Sequence, residues 1–172
     1  MSDEVIVRFK WTADELRTGM KCHYRAQYSQ FVRVLFWSSL YGATIFGAIA
    51  TFHSGTESSG FSALMYGLCA IVLLRFVVPG TLRRQFSKRP DHNSEIEWRI
   101  SDEGIKTKTN HSNAEQSWAA FAKVIQTKDG FLFYPTLRIF HWLPRSGFAS
   151  DADFDRLSQL AQKNAGCYKA AQ

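Results

Sequence analysis

Two apolar runs in the first half of the chain constrain it most. Residues 34–52 are 19 positions without a charge, and residues 61–74 are another 14. A helix rises about 1.5 Å per residue, so the first run spans roughly the 30 Å of a bilayer's hydrocarbon core. The second is too short alone. Carried to Val78 it reaches 18 residues and takes in Arg75. That long side chain snorkels to the headgroups from near a helix end, and Pro79-Gly80 is predicted to end the helix. The expectation is a transmembrane helical hairpin over 34–78. The competing reading is a soluble protein with a buried helical pair. The mean hydropathy of -0.21 is ordinary for soluble proteins, but it averages two unlike halves. The first run begins only at Val34 and is followed by a second, which argues against a cleaved leader.

The flanking charges agree with one orientation. Lys21, Arg25 and Arg33 precede the hairpin; Arg83, Arg84, Lys88 and Arg89 follow it. The loop at 53–60 holds Glu57 and no Lys or Arg. Positive residues stay on the cytoplasmic side, so both flanks and both termini are predicted there. Phe31, Phe36, Trp37, Phe52 and Phe61 collect near the predicted boundaries, as in an interfacial belt. Small residues recur every fourth position: Ser39, Ala43, Gly47 and Thr51, then Ser59, Ala63 and Gly67. Such ladders let helix backbones approach closely in lipid, so Ala43, Gly47, Ala63 and Gly67 are the expected packing residues. Gly and Ala are also common in any apolar helix.

The +6 net charge lies in the first half. Residues 1–90 carry 11 Lys+Arg against 5 Asp+Glu, and residues 91–172 carry 10 of each. The excess borders the predicted membrane, where anionic lipid is the nearer partner. Arg75, Arg83, Arg84, Lys88 and Arg89 are the expected headgroup contacts. The remainder has no basic excess, which argues against nucleic-acid binding. Cys22, Cys69 and Cys167 are far apart, with no C-x-x-C or zinc spacing, and read as free thiols.

Along the chain, Val5, Val7, Phe9 and Trp11 alternate with Ile6, Arg8 and Lys10, a strand period. Thr12 to Glu15 reads as a capping box, with Glu15 reaching back to Thr12. Leu16, Met20, Tyr24, Tyr28 and Phe31 follow at helical spacing. One helix is expected to run from there into the first crossing, its apolar stripe on the soluble domain or on lipid; the alternative is a short helix with a hinge near Gly19. Residues 79–94 form a basic juxtamembrane linker. From Glu95 the texture changes to short alternating runs. Strands are predicted at 95–101, 105–109, 114–118, 122–127, 131–134 and 137–143, separated by turns that include Asp102-Glu103-Gly104, Lys128-Asp129-Gly130 and Pro135-Thr136. Ser150 caps a last helix bearing Phe154, Leu157, Leu160 and Ala161 on one face. This is an α+β arrangement: an antiparallel β-meander closed by a C-terminal helix over 95–172. The strand within 1–33 has no other partner, so it is expected to join that sheet.

The chain resembles the YcxB-like proteins of bacteria. The residues that carry the likeness are the strand-turn-strand at 96–109, then Trp118 and Phe121 leading into Lys123-Val124, then Leu143-Pro144-Arg145-Ser146-Gly147-Phe148 before the capped helix. The N-terminal strand, its Thr-x-x-Glu start and the two spans match as well. The resemblance implies a bacterial membrane protein with a cytosolic sheet domain similar to pleckstrin-homology-like modules; it implies no particular activity. The motif residues, Phe148 among them, also have structural explanations: Trp118 and Phe121 as core anchors, and Pro144 and Gly147 as turn formers. Arg145 is the motif residue expected to keep a free polar head.

No chemistry-bearing motif is readable. The five histidines show no metal spacing, and no nucleophile elbow or phosphate-binding loop occurs. Asp102-Glu103 reads as a solvated turn, and His141 as a packing residue. The expectation is therefore a non-enzymatic protein without cofactor or metal. It sits in the bacterial inner membrane and presents a small cytosolic module to a protein or lipid. The alternative is a regulatory or immunity-type subunit whose hairpin packs against another membrane protein or a second copy of itself.

Overall fold

A computed structural model describes residues 4–56, 59–88, 93–109, 112–136 and 139–170. It divides into two compact units, one made of Met1–Gln27 with Pro90–Gln172 and the other of Tyr28–Arg89.

The first unit is built from two four-stranded sheets. The first has the order β1-β2-β3-β4, from Val5–Lys10, Glu95–Ile100, Ile105–Thr109 and Asn113–Gln116. The second has the order β7-β6-β5-β8, from Ile139–Pro144, Gly130–Thr136, Lys123–Thr127 and Tyr168–Ala170. All neighbours are antiparallel except β5 and β8, which run parallel. A single meander was expected; the chain instead changes sheet at the 3-10 turn Trp118–Ala120. Alternation fixes which face a side chain takes and leaves the partner strand open, so the split was not legible. β8 follows the last helix and was not foreseen. Pro135 lies inside β6, where a turn was expected. The register shifts between Phe133 and Thr136 at that point, and such a bulge tolerates a residue without an N–H. Of the loop at 110–113 and the strand at 137–143, residues 110–111 and 137–138 lie outside the described residues.

β1 does join the distant sheet. It pairs with β2 over six residues, from Val5 opposite Ile100 to Lys10 opposite Glu95. Trp11 and residues 93–94 continue the ladder, with Trp11 N–H donating to the Ser94 carbonyl at 2.9 Å and Asn93 N–H to the Trp11 carbonyl at 3.0 Å. Its alternate residues Val5, Val7 and Phe9 enter the main core with Trp98, Ile100, Phe131, Phe133 and Leu143. The last helix, α5 (Asp151–Asn164), closes that core with Phe154, Leu157, Leu160 and Ala161. The Ser150 hydroxyl caps it, accepting the Asp153 N–H at 3.2 Å. β6 is apolar at consecutive positions because both its faces are covered. Phe131 and Phe133 face the main core, while Leu132 and Tyr134 join Ile125, Trp142 and Cys22 in a second cluster.

Cys22 belongs to the helix α1 (Ala13–Gln27). The helix does not continue into the apolar run: it stops at Gln27, and Ser29 starts the next one by accepting the Val32 N–H at 3.3 Å. Nor is Gly19 a hinge. A Cβ there would stand 2.8 Å from Trp142 Cγ, so Gly19 is a point of close approach between α1 and the second sheet. The face turned inward is Glu15, Gly19, Cys22, His23 and Ala26. The apolar stripe read from the sequence is not that face, since Tyr24 is half exposed.

The second unit is a pair of apolar helices. α2 spans Gln30–Ser54 and α3 Ser59–Val72. Pro79-Gly80 does not end the second rod. A π turn, Leu73–Val77, leads directly into α4 (Val78–Ser87), and the Val78 N–H donates to the Leu73 carbonyl. Pro79 follows the π turn directly, and the wider turn relieves the ring's clash with the preceding carbonyls.

Candidate functional site

Both apolar rods, Gln30–Ser54 and Ser59–Ser87, are long and apolar enough to cross a membrane. Large apolar side chains cover their outside, with Phe52 88% and Tyr66 78% exposed and Phe46 and Phe76 similarly bare. Exposed apolar area on this scale marks an interaction surface. The helices meet through small residues. A Cβ on Gly47 would stand 2.6 Å from the Leu64 nitrogen and 2.8 Å from the Gly60 carbonyl oxygen; one on Gly60 would meet Ala50 Cβ at 2.5 Å. Gly67 lies against Thr44, whose hydroxyl is bonded back to the Leu40 carbonyl at 2.8 Å. Of the four packing residues expected from the ladders, Gly47, Ala63 and Gly67 lie in this contact. Ala43 is exposed, as is Ser39, because the contact on α2 follows Thr44, Gly47 and Thr51. Gly60 and Thr44 were missed: each is one residue off the spacing of four.

The expected headgroup contacts are placed along the second rod. Arg75 lies exposed in the π turn, and Arg83 and Arg84 lie exposed in α4, with Lys88 as its C-cap. The continuous helix puts Arg75 about 12 Å of rise before Arg83. Arg89 lies outside the described residues.

The motif corner is structural in its contacts. Trp118 Nε1–H donates to the Ser101 carbonyl at 2.8 Å, and its ring packs on Phe133. Phe121 meets the same ring edge-on with centroids 5.3 Å apart. Pro144 ends β7 opposite Gly130, and Phe148 packs between Phe131 and Phe154 while bridging to Val7. Arg145 does not keep a free head. Its Nη2 donates to Asp151 at 2.8 Å, and its guanidinium lies 4.5 Å over the Phe154 ring. The motif thus fastens the turn after β7 to the start of α5.

The seam between α1 and the second sheet holds a set of polar contacts. The Glu15 N–H donates to the Thr12 hydroxyl at 3.2 Å, as expected of a cap. The Glu15 carboxylate does not reach back; it accepts Trp142 Nε1–H at 3.0 Å and the Ser146 hydroxyl at 3.3 Å. His23 Nδ1 lies 2.8 Å from the Tyr134 hydroxyl, and its ring stacks on Phe140 with centroids 4.7 Å apart. Burial lowers the His23 pKa from its ordinary value and pushes the Tyr134 phenol up to about 12. Burial also raises the Cys22 thiol, which touches Asp129 and Thr127. Through these contacts Glu15, Cys22 and His23 tie the helix to the second sheet and its turns. Among the described residues, no three His, Cys, Asp or Glu side chains stand close enough together to hold a metal.

The class these features define is an α+β protein with two antiparallel-rich sheets and two helices fit to cross a membrane. A family model described as YcxB-like protein matches residues 100–161, from the last residue of β2 to Ala161 of α5. That match bears out the family likeness read from the sequence, over the segment containing Trp118, Phe121, Pro144, Arg145 and Phe148. No curated protein and no solved structure matches the chain.

Proposed function

We propose that this is a non-enzymatic integral membrane protein. Its hairpin crosses the bacterial inner membrane twice and holds a sheet module at the cytoplasmic surface for a protein or lipid partner. The observation that carries the reading is the pairing of β1 with β2. One strand precedes the apolar rods and the other follows them, yet they are joined over six residues. Strands in one sheet share one compartment, so the chain between them either stays on that side or crosses a membrane and returns. Two rods of sufficient length fit a crossing and return. The charge asymmetry favours the cytoplasm as the shared side. Two sheets closed by a C-terminal helix also fit the pleckstrin-homology-like arrangement implied by the family, with the hairpin inserted between the first two strands. Arg75, Arg83, Arg84 and Lys88, exposed along the second rod, support contact with anionic headgroups.

The test is fractionation followed by capture. The chain is expected to stay with bacterial membranes through an alkaline carbonate wash and to bring down a partner from mild detergent. Release by carbonate contradicts the membrane reading; recovery of lipid alone contradicts the protein-partner arm. A second reading rests on Ser39 and Ala43, which lie exposed beside the α2–α3 contact. They leave a small-residue path for a helix of another membrane protein or a second copy. In that case an Ala43→Leu change abolishes co-purification and leaves the hairpin itself intact.

A further inference from the structure

α1 carries two opposed faces. Glu15, Gly19, Cys22, His23 and Ala26 face the second sheet. At 100° per residue, Arg17, Lys21, Tyr24 and Arg25 fall within about 100° of arc on the opposite side. All four are exposed, Tyr24 at 52%. The acid on that arc is Asp14, in the first turn, where the helix dipole favours it. The cationic part thus lies toward the end of α1, and α2 begins three residues after α1 ends.

We propose that this face of α1 is a second lipid-docking surface, seated on anionic headgroups beside the first crossing. The argument rests on the reading that α2 enters the bilayer, and on three observations. The charge is of one sign where the chain nears α2. Tyr24 accompanies it, and an amphipathic ring of this kind settles at the headgroup level. The opposite face is committed to the sheet, so the helix bridges the module and the lipid surface. The sheet module is then held at the membrane by α1 as well as by its two connections to the rods. Anionic lipid, rather than a protein, is favoured because the cations form an open, exposed ridge at i, i+4 and i+8, which suits mobile headgroups.

The test uses the full chain in lipid nanodiscs, one set of neutral phosphatidylcholine and one with about a third phosphatidylglycerol, read by backbone hydrogen exchange over residues 13–28. Each basic side chain near an anionic surface is worth about fivefold in occupancy. Exchange is therefore expected to slow by about tenfold or more in the anionic discs, and to return to the neutral-disc rate in 1 M salt, where the screening length falls to about 3 Å. The triple variant Arg17→Gln, Lys21→Gln, Arg25→Gln is expected to lose the lipid dependence. If that variant misfolds, the salt series on the unaltered chain decides. Equal exchange in both lipids, including equal protection in both, overturns the proposal. A chain that leaves the discs for the buffer overturns the spanning reading and the proposal with it, so the two failures are distinguishable.

Discussion

Glu15 ties α1 to two other parts of the molecule through one carboxylate. It accepts from the Trp142 indole in β7 and from Ser146 in the motif turn. Trp142 is buried, so Glu15→Ala leaves its N–H without that partner. The expected loss is about 1–3 kcal/mol in denaturant unfolding, with Glu15→Gln recovering part of it. Gly19, one turn on, is a steric requirement. Gly19→Val drives side-chain atoms into Trp142 and is expected to cost about 1–3 kcal/mol or detach α1. His23 adds a pH dependence. Its folded pKa is lowered by burial, so the unfolded chain binds the extra proton first as pH falls. Its contribution is full above about pH 6.5 and declines below that, levelling off under the lowered folded value. Melting of the chain in detergent from pH 7.5 to 5 should show the decline, and His23→Gln should flatten it. The sequence made the Thr12 cap legible and hid the rest of this seam. Leu16, Met20 and Tyr24 are the greasier residues, but a helix that must lie against an indole needs small ones, and Gly19, Cys22 and Ala26 are those.

At the scale of elements, the α2–α3 contact rests on the absence of side chains. Gly47→Leu would push against the Leu64 and Gly60 backbone, which cannot give way as a side chain can. It should lower the melting temperature of the chain in micelles by several degrees or more, corresponding to about 1–3 kcal/mol. Ala43→Leu, exposed on the same helix, should leave it unchanged. Equal effects would contradict the observed face. Much of the hairpin was legible, because uninterrupted apolarity of this length has few alternatives. Its register was not: Thr44 and Gly60 stand off the four-residue ladders. Pro79-Gly80 misled because a proline ends a helix only when the backbone before it cannot widen, and the turn Leu73–Val77 does widen. The strand β1 was legible for a different reason. A lone strand cannot satisfy its N–H and C=O groups, so it had to find the later sheet. β8 gave no such signal, since three residues after a helix carry too little pattern to register as a strand.

For the molecule as a whole, the sheet module is encoded by two stretches of sequence separated by the apolar rods. Val5 and Val7 are fully buried in its core, so a fragment starting at residue 95 should fail to fold. A chain in which a flexible linker replaces 28–92, long enough to pass α1's roughly 22 Å, should fold and stay monomeric in plain buffer. The intact chain should require an amphiphile. The same discontinuity carries the central claim, that the rods cross a bilayer and return while β1 and β2 share one side. The direct measurement is cysteine labelling in sealed vesicles with a membrane-impermeant maleimide, after Cys22, Cys69 and Cys167 are changed to Ser. Single cysteines at the exposed positions Lys10 and Glu95 should label from the same side, and one at Thr56 from the opposite side only. Labelling of all three from one side would show that the hairpin never crosses, and would contradict the account.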